Sequence, residues 1–152
     1  MSTKVPADTP LRMEPPISPG AEPFWEATRE CRLVLPWCLA CERPFFYPRE
    51  VCPLCLGTAI AWRPATGTGV VYSFTIENRP PPAAFSMGKP YVVALVELDE
   101  GVRLMGNIVG CPLEKTEVGM PVSVTWEALS DGRHLPLFEP RREEKHYDDD
   151  IG

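Results

Sequence analysis

The alternation of apolar and polar positions separates the chain into unlike parts. After Trp62, ATGTGVVYSFTIE runs from Gly67 and Gly69 into Val70, Tyr72, Phe74 and Ile76. Four apolar positions spaced by two predict a strand with those side chains on one face. YVVALVEL is apolar at both parities except at Glu97, the pattern of a central strand covered on both sides. Asp99–Gly101 reads as a hairpin turn returning into VRLMGNIV, where Gly106 predicts a bulge or tight bend. GCPLEKTEVGM then connects to PVSVTWEAL, with Val122, Val124 and Trp126 alternating; Ser130–Gly132 is a second turn, and RHLPLF a fifth strand. Five short strands with a glycine-bent central pair predict a small Greek-key barrel of the OB type over residues 62–140. A five-stranded sandwich is the alternative.

Ahead of the strands the period changes. GAEPFWEATRECRL predicts one short helix within 20–32, with Pro23 in its first turn and Glu22 and Glu26 near the positive dipole end. Phe24, Thr28 and Cys31 would share a face, with Trp25 beside it. A helix this short cannot stand alone, so it is expected to dock on its own domain or on a partner. Residues 1–19 read as a flexible proline-rich arm, and 141–152 as a charged, solvated tail.

Composition narrows the picture. A chain of 152 residues suits one domain or two small modules, and 19 prolines disfavour long helices. The formal charge of −6 makes nucleic acid an unlikely partner, because phosphate neutralisation needs clustered Lys and Arg. The first twenty residues lack the apolar core of a secretory signal, and no window has the length of a membrane span. A cytoplasmic location, with thiols kept reduced, is the expectation.

Chemistry concentrates in CLACERPFFYPREVCPLC. Cys38, Cys41, Cys52 and Cys55 form two C-x-x-C pairs ten residues apart, within segment 33–61. Two such turns supply the tetrahedral four-sulfur shell that Zn²⁺ accepts at about 2.3 Å per bond. Structural zinc is the leading expectation; rubredoxin-like iron, disulfides and redox chemistry are the alternatives. A closed four-cysteine shell leaves no open position for metal-assisted hydrolysis. Cys31, Cys111, His134 and His146 show no local nucleophile–base signature, and Glu97, Asp99 and Glu100 read as ordinary turn acids. Phe45, Phe46 and Tyr47 suit packing between the ribbon and its neighbour better than a base-stacking platform.

The ordered series FWEATRECRLVLPWCLAC, YPREVCPLC, GTGVVYSFTI, PYVVALVELDEGVRLMGNIVG, GMPVSVTWE and LPLFEP resembles the accessory proteins called domain of unknown function 35, over roughly residues 23–140. The resemblance implies a mainly β protein with a leading helix, a rubredoxin-like zinc ribbon and a five-stranded OB-fold barrel. It also implies a partner subunit of the thiolase superfamily, a thiolase-like or aldolase-like enzyme acting on CoA thioesters, with steroid side-chain breakdown among the candidates. The nucleophile would belong to that partner, and this chain would be a non-catalytic subunit helping to hold acyl-CoA. Its docking surface would include the Phe24–Trp25 helix, the proline-rich arm and part of the ribbon. Arg79 and Lys89, in the loop RPPPAAFSMGKP, would then meet a CoA phosphate; ordinary solvated loop charge is the plain alternative. A free-standing OB-fold module for CoA esters or single-stranded nucleic acid is the competing function. Three positions depart from the family pattern: Glu42 and Leu56 stand where each knuckle usually has glycine, and Cys31 where the helix usually ends in one.

Overall fold

The computed structural model describes residues 14–78 and 90–142. Arg79, Lys89, His146, most of the proline-rich arm and most of the charged tail therefore lie outside the described residues. Helix α1 spans Glu22–Thr28, with proline in its first turn, where no intrahelical N–H is needed. Phe24, Ala27 and Thr28 are buried. The Thr28 hydroxyl donates to the Trp25 carbonyl at 2.6 Å and accepts from the His134 N–H at 3.2 Å. Nδ1 of His134 lies 2.8 Å from the Thr28 carbonyl, which makes it the protonated ring nitrogen. The helix is thus fastened to its own barrel, and Phe24, 4% exposed, is not available as the docking residue that the sequence suggested. Cys31 also departs from expectation: it lies past the helix, exposed, with φ of 53°.

Strands β1 (Val34–Cys38), β2 (Arg43–Pro44) and β3 (Ile60–Pro64) form a three-stranded antiparallel sheet in the order β2-β1-β3. The barrel follows as β4 (Thr68–Glu77), β5 (Tyr91–Leu98), β6 (Arg103–Ile108), β7 (Pro121–Ala128) and β8 (His134–Pro140). It closes in the order β4-β5-β6-β8-β7, and its single parallel contact is Ile108 against Phe138. This is the OB arrangement expected from the five alternating segments, and closure leaves no long open edge.

Two local expectations are corrected. The apolar set Val70, Tyr72, Phe74 and Ile76 does not share a face, because the β4–β5 register shifts between Val71 and Ser73. The bulge turns Val70 and Tyr72 outward, at 38% and 46% exposure, while Val71, Phe74 and Ile76 belong to the core. Gly106 is not a bulge, since the β5–β6 ladder runs without a shift from Val92–Ile108 to Glu97–Arg103. Its role is clearance: a Cβ there would lie 3.1 Å from the Phe138 ring. Strand β5 buries one face fully and half-covers the other.

Helix, ribbon and barrel share one core. Phe24, Leu33 and Leu35 cluster with Val71, Val96, Leu98, Leu104 and Phe138 of the barrel. Phe46 joins this cluster from the ribbon, its ring 5.7 Å from that of Phe24. The end of the ribbon that carries the cysteines is different. Its own cluster holds only Cys38, Phe45 and Cys52 as buried members.

Candidate metal centre

The four cysteines converge although the end of β1, the turn into β2 and the loop to β3 deliver them from separate stretches. Cys38 ends β1, Cys41 follows in the turn into β2, and Cys52 and Cys55 lie in the second knuckle before β3. Their four sulfur atoms all lie within 4.8 Å of one another. The Cys38–Cys55 sulfurs are 3.6 Å apart and the Cys41–Cys52 sulfurs 3.9 Å. A tetrahedron built on bonds of about 2.3 Å has edges of about 3.8 Å, so the donor set fits Zn²⁺. All six cysteines are free thiols, and the disulfide alternative is not what the structure adopts.

Main-chain amides point at the sulfurs. The N–H groups of Cys41, Leu54 and Gly57 each lie 3.4 Å from the sulfurs of Cys38, Cys52 and Cys55 respectively. Such donors offset the excess charge of four thiolates around one dication. The Cys55 amide, opposed by burial and helped by the Leu54 amide, lowers the Cys52 thiol to about 6. The hydrogen bond with Cys55, then burial, push Cys41 up to about 12. Zinc binds such a set as thiolates, so its binding would release protons. With Phe45 the one buried side chain of this cluster that is not itself a ligand, the metal would supply most of the folding energy of this end of the ribbon. When bound, zinc would cross-link the knuckles; four sulfur ligands leave it no open position.

Glu42 and Leu56 adopt φ of 54° and 60°, the left-handed conformation for which glycine is usual. The other candidates resolve into structural roles. Glu97 pairs with Arg103 at 3.1 Å, Asp99 accepts from the Thr68 hydroxyl, and Glu100 accepts from the Thr66 N–H at 2.7 Å. Phe45 is buried against the metal cluster, while Tyr47 is half exposed. Cys111 is half-buried against the barrel core.

Two features escaped the sequence reading. Arg133, 5% exposed, pairs with Asp131 at 2.7 Å, donates to the Pro15 carbonyl at 2.9 Å and stacks 4.9 Å from the Trp25 ring centre. It clamps the arm and the helix to the β7–β8 turn, and its only local signal is the acid two residues before it. The arm, α1, the ribbon at Phe46–Pro48, β6 and β8 also enclose a cavity of about 350 Å³. Trp25, Tyr47, Met105 and Leu135 are among its lining residues, none of which is charged, so it suits an apolar group and not a phosphate.

Family models match in sequence order: the ChsH2 rubredoxin-like zinc ribbon domain over residues 25–61 and the ChsH2 C-terminal OB-fold domain over 62–127. A solved structure described as the Ltp2–ChsH2(DUF35) aldolase is similar to this chain with a TM-score of 0.75 and 42% identity, over 84% of this chain and 98% of that one. A probable enoyl-CoA hydratase alpha subunit of Thermomonospora curvata is 42% identical over 86% of this chain. A 3-oxo-4,17-pregnadiene-20-carboxyl-CoA hydratase alpha subunit of Mycobacterium tuberculosis is 39% identical over 50% of it. The chain spans 40% and 24% of the lengths of those two relatives. With ribbon and barrel matched in order along most of its described length, the chain belongs to the DUF35 family of zinc-ribbon and OB-fold proteins.

Proposed function

We propose that this chain is a non-catalytic, zinc-binding accessory subunit of a thiolase-like or aldolase-like enzyme, and that it helps hold the acyl-CoA substrate during carbon–carbon bond cleavage or formation. The observation that carries this reading is the likeness, along nearly the whole of the matched chain, to the DUF35 component of an aldolase complex. The chemistry of the chain supports it. The metal shell is closed, and His134, the one histidine among the described residues, is committed to Thr28. The uncharged cavity would take apolar acyl carbon, and steroid side chains are the favoured acyl class because one relative is named for a pregnadiene-carboxyl-CoA. Arg79 and Lys89 are the proposed contacts for the CoA phosphates. No helix among the described residues is long and apolar enough to cross a membrane, and a reducing cytoplasm would keep the four thiols able to bind zinc.

Co-expression with an Ltp2-type aldolase chain tests the proposal. The expected result is a co-eluting complex that cleaves a β-hydroxyacyl-CoA faster than the aldolase chain alone. A protein that elutes separately and leaves the rate unchanged would overturn it. Tight binding of a CoA ester or an oligonucleotide by this isolated chain would favour the free-standing module instead.

A further inference from the structure

The metal-binding knuckles carry an apolar crown that the fold does not use. Leu39, Val51, Leu54 and Leu56 are exposed at 50%, 39%, 62% and 73%. Each is the immediate neighbour of a cluster cysteine, so together they flank a group of sulfurs lying within 4.8 Å of one another. Leu56 is the telling member. Its φ of 60° costs a residue with a Cβ about 1–2 kcal/mol, which glycine would avoid. Its side chain stays in water, so no burial within this chain offsets that strain. Glu42 carries the same strain at the matching place in the first knuckle, but its charged side chain suits solvent, whereas folding alone gives no reason for an exposed leucine here.

We propose that Leu39, Val51, Leu54 and Leu56 are the apolar centre of the contact with a different chain, whose facing surface is an apolar pocket rimmed by lysine and arginine. This rests on the accessory-subunit reading above and assigns the surface through which the subunit assembles. Four partly exposed aliphatic side chains cannot by themselves fill the ~800 Å² per partner that a stable interface buries, so they form the middle of a larger contact. A second copy docking crown to crown would bring two metal centres together, each net −2 once four thiolates hold one dication, on chains of formal charge −6. The nearby Glu42, Arg43, Arg49 and Glu50 cancel in sign, so the metal centre sets the local field. A basic rim complements it.

The test is calorimetric titration of the purified Ltp2-type aldolase chain with the zinc-loaded native protein, Leu56→Gly, Leu54→Ser and the control Val118→Ser, which alters an exposed residue (67%) outside the ribbon. Leu56→Gly is expected to bind at least about tenfold more weakly while its thermal midpoint rises and its zinc content stays at one ion per chain. That opposition of affinity and stability separates a lost contact from a damaged fold. Leu54→Ser should weaken binding likewise, Val118→Ser should not, and the native association rate should fall with added salt. Equal binding by the native chain and both crown variants would overturn the assignment while leaving the accessory role standing. Failure of the native chain to bind would remove both. Self-association of the native chain that Leu56→Gly abolishes would make the occupant a second copy, and would also overturn the proposal.

Discussion

Glu42 and Leu56 hold the same conformation at the same place in the two knuckles. Each follows the second cysteine of its pair, with φ of 54° and 60°. The second turn does not shift by one residue to recruit Gly57, whose N–H serves the Cys55 sulfur instead. The requirement for left-handed backbone is thus set by the metal-binding turn and persists when the residue is unsuited to it. Cys31, at φ of 53°, repeats the pattern at the helix exit.

Replacing Glu42 by glycine should therefore stabilise the protein. The relief of left-handed strain is about 1–2 kcal/mol, reduced by the larger entropy of glycine in the unfolded chain to a net gain of about 0.5–1 kcal/mol. Chemical denaturation of the zinc-loaded protein measures it, and a loss of stability would mean that the Glu42 side chain contributes more than its backbone costs.

Zinc removal should act locally first. A strong chelator, or Cys52→Ser, is expected to abolish metal binding and to expose the amides of 38–57 to hydrogen exchange within seconds. Strands β5 and β6 should remain protected, because their core does not include the four clustered cysteines. Simultaneous loss of protection in ribbon and barrel would show that the shared Leu33–Leu35 packing makes them one cooperative unit.

Gly106→Ala should destabilise the barrel by about 1–3 kcal/mol. The added Cβ meets the Phe138 ring at 3.1 and 3.2 Å, and Phe138 is wholly buried, with little room to move. Urea unfolding checks this, and Ala94→Gly on the facing position of β5 should not rescue it, because the clash is with Phe138.

Arg133→Ala should cost about 2 kcal/mol, through the lost hydrogen bond to Pro15, the lost stacking on Trp25 and the lost ion pair with Asp131, which keeps its bond from the residue 133 N–H. Hydrogen exchange should locate the loss in residues 14–21. Asp131→Asn should have a smaller effect that depends on pH. The Arg133 amide, against an opposing desolvation and with help from the Arg133 side chain, holds the Asp131 carboxyl below its ordinary value of 3.8. A depressed acid contributes stability that is present above 3.8 and fades as pH falls through the lower folded value. The difference between Asp131→Asn and the native chain should therefore be full near pH 6 and shrink below pH 3.8, read as exchange protection of residues 130–134.

How much of this was legible in the sequence follows from the range of the forces involved. C-x-x-C spacing is local, so the four-sulfur cluster and its two left-handed positions could be placed from the residues and the family pattern. Turn residues such as Gly101 and Gly132, with φ of 89° and 90°, are equally local, and they mark the β5–β6 and β7–β8 hairpins. Alternation gave the strands but not always their inward face. In β4 the pairing with β5 inserts a bulge after Val71, and that pairing partner lies some twenty residues away.

The amino-acid sequence by itself determined the two cysteine knuckles, the five barrel strands and the helix with Pro23 in its first turn, because each depends on spacings of two to four residues. Tertiary structure alone decided that the helix spends Phe24 and Thr28 on its own barrel, through a contact 106 residues distant in the chain. It alone buried Arg133 beneath Trp25 and left Leu39, Leu54 and Leu56 in solvent. Burial is a property of what packs on a residue, and for these side chains the packing partner, or its absence, lies far along the chain or beyond it.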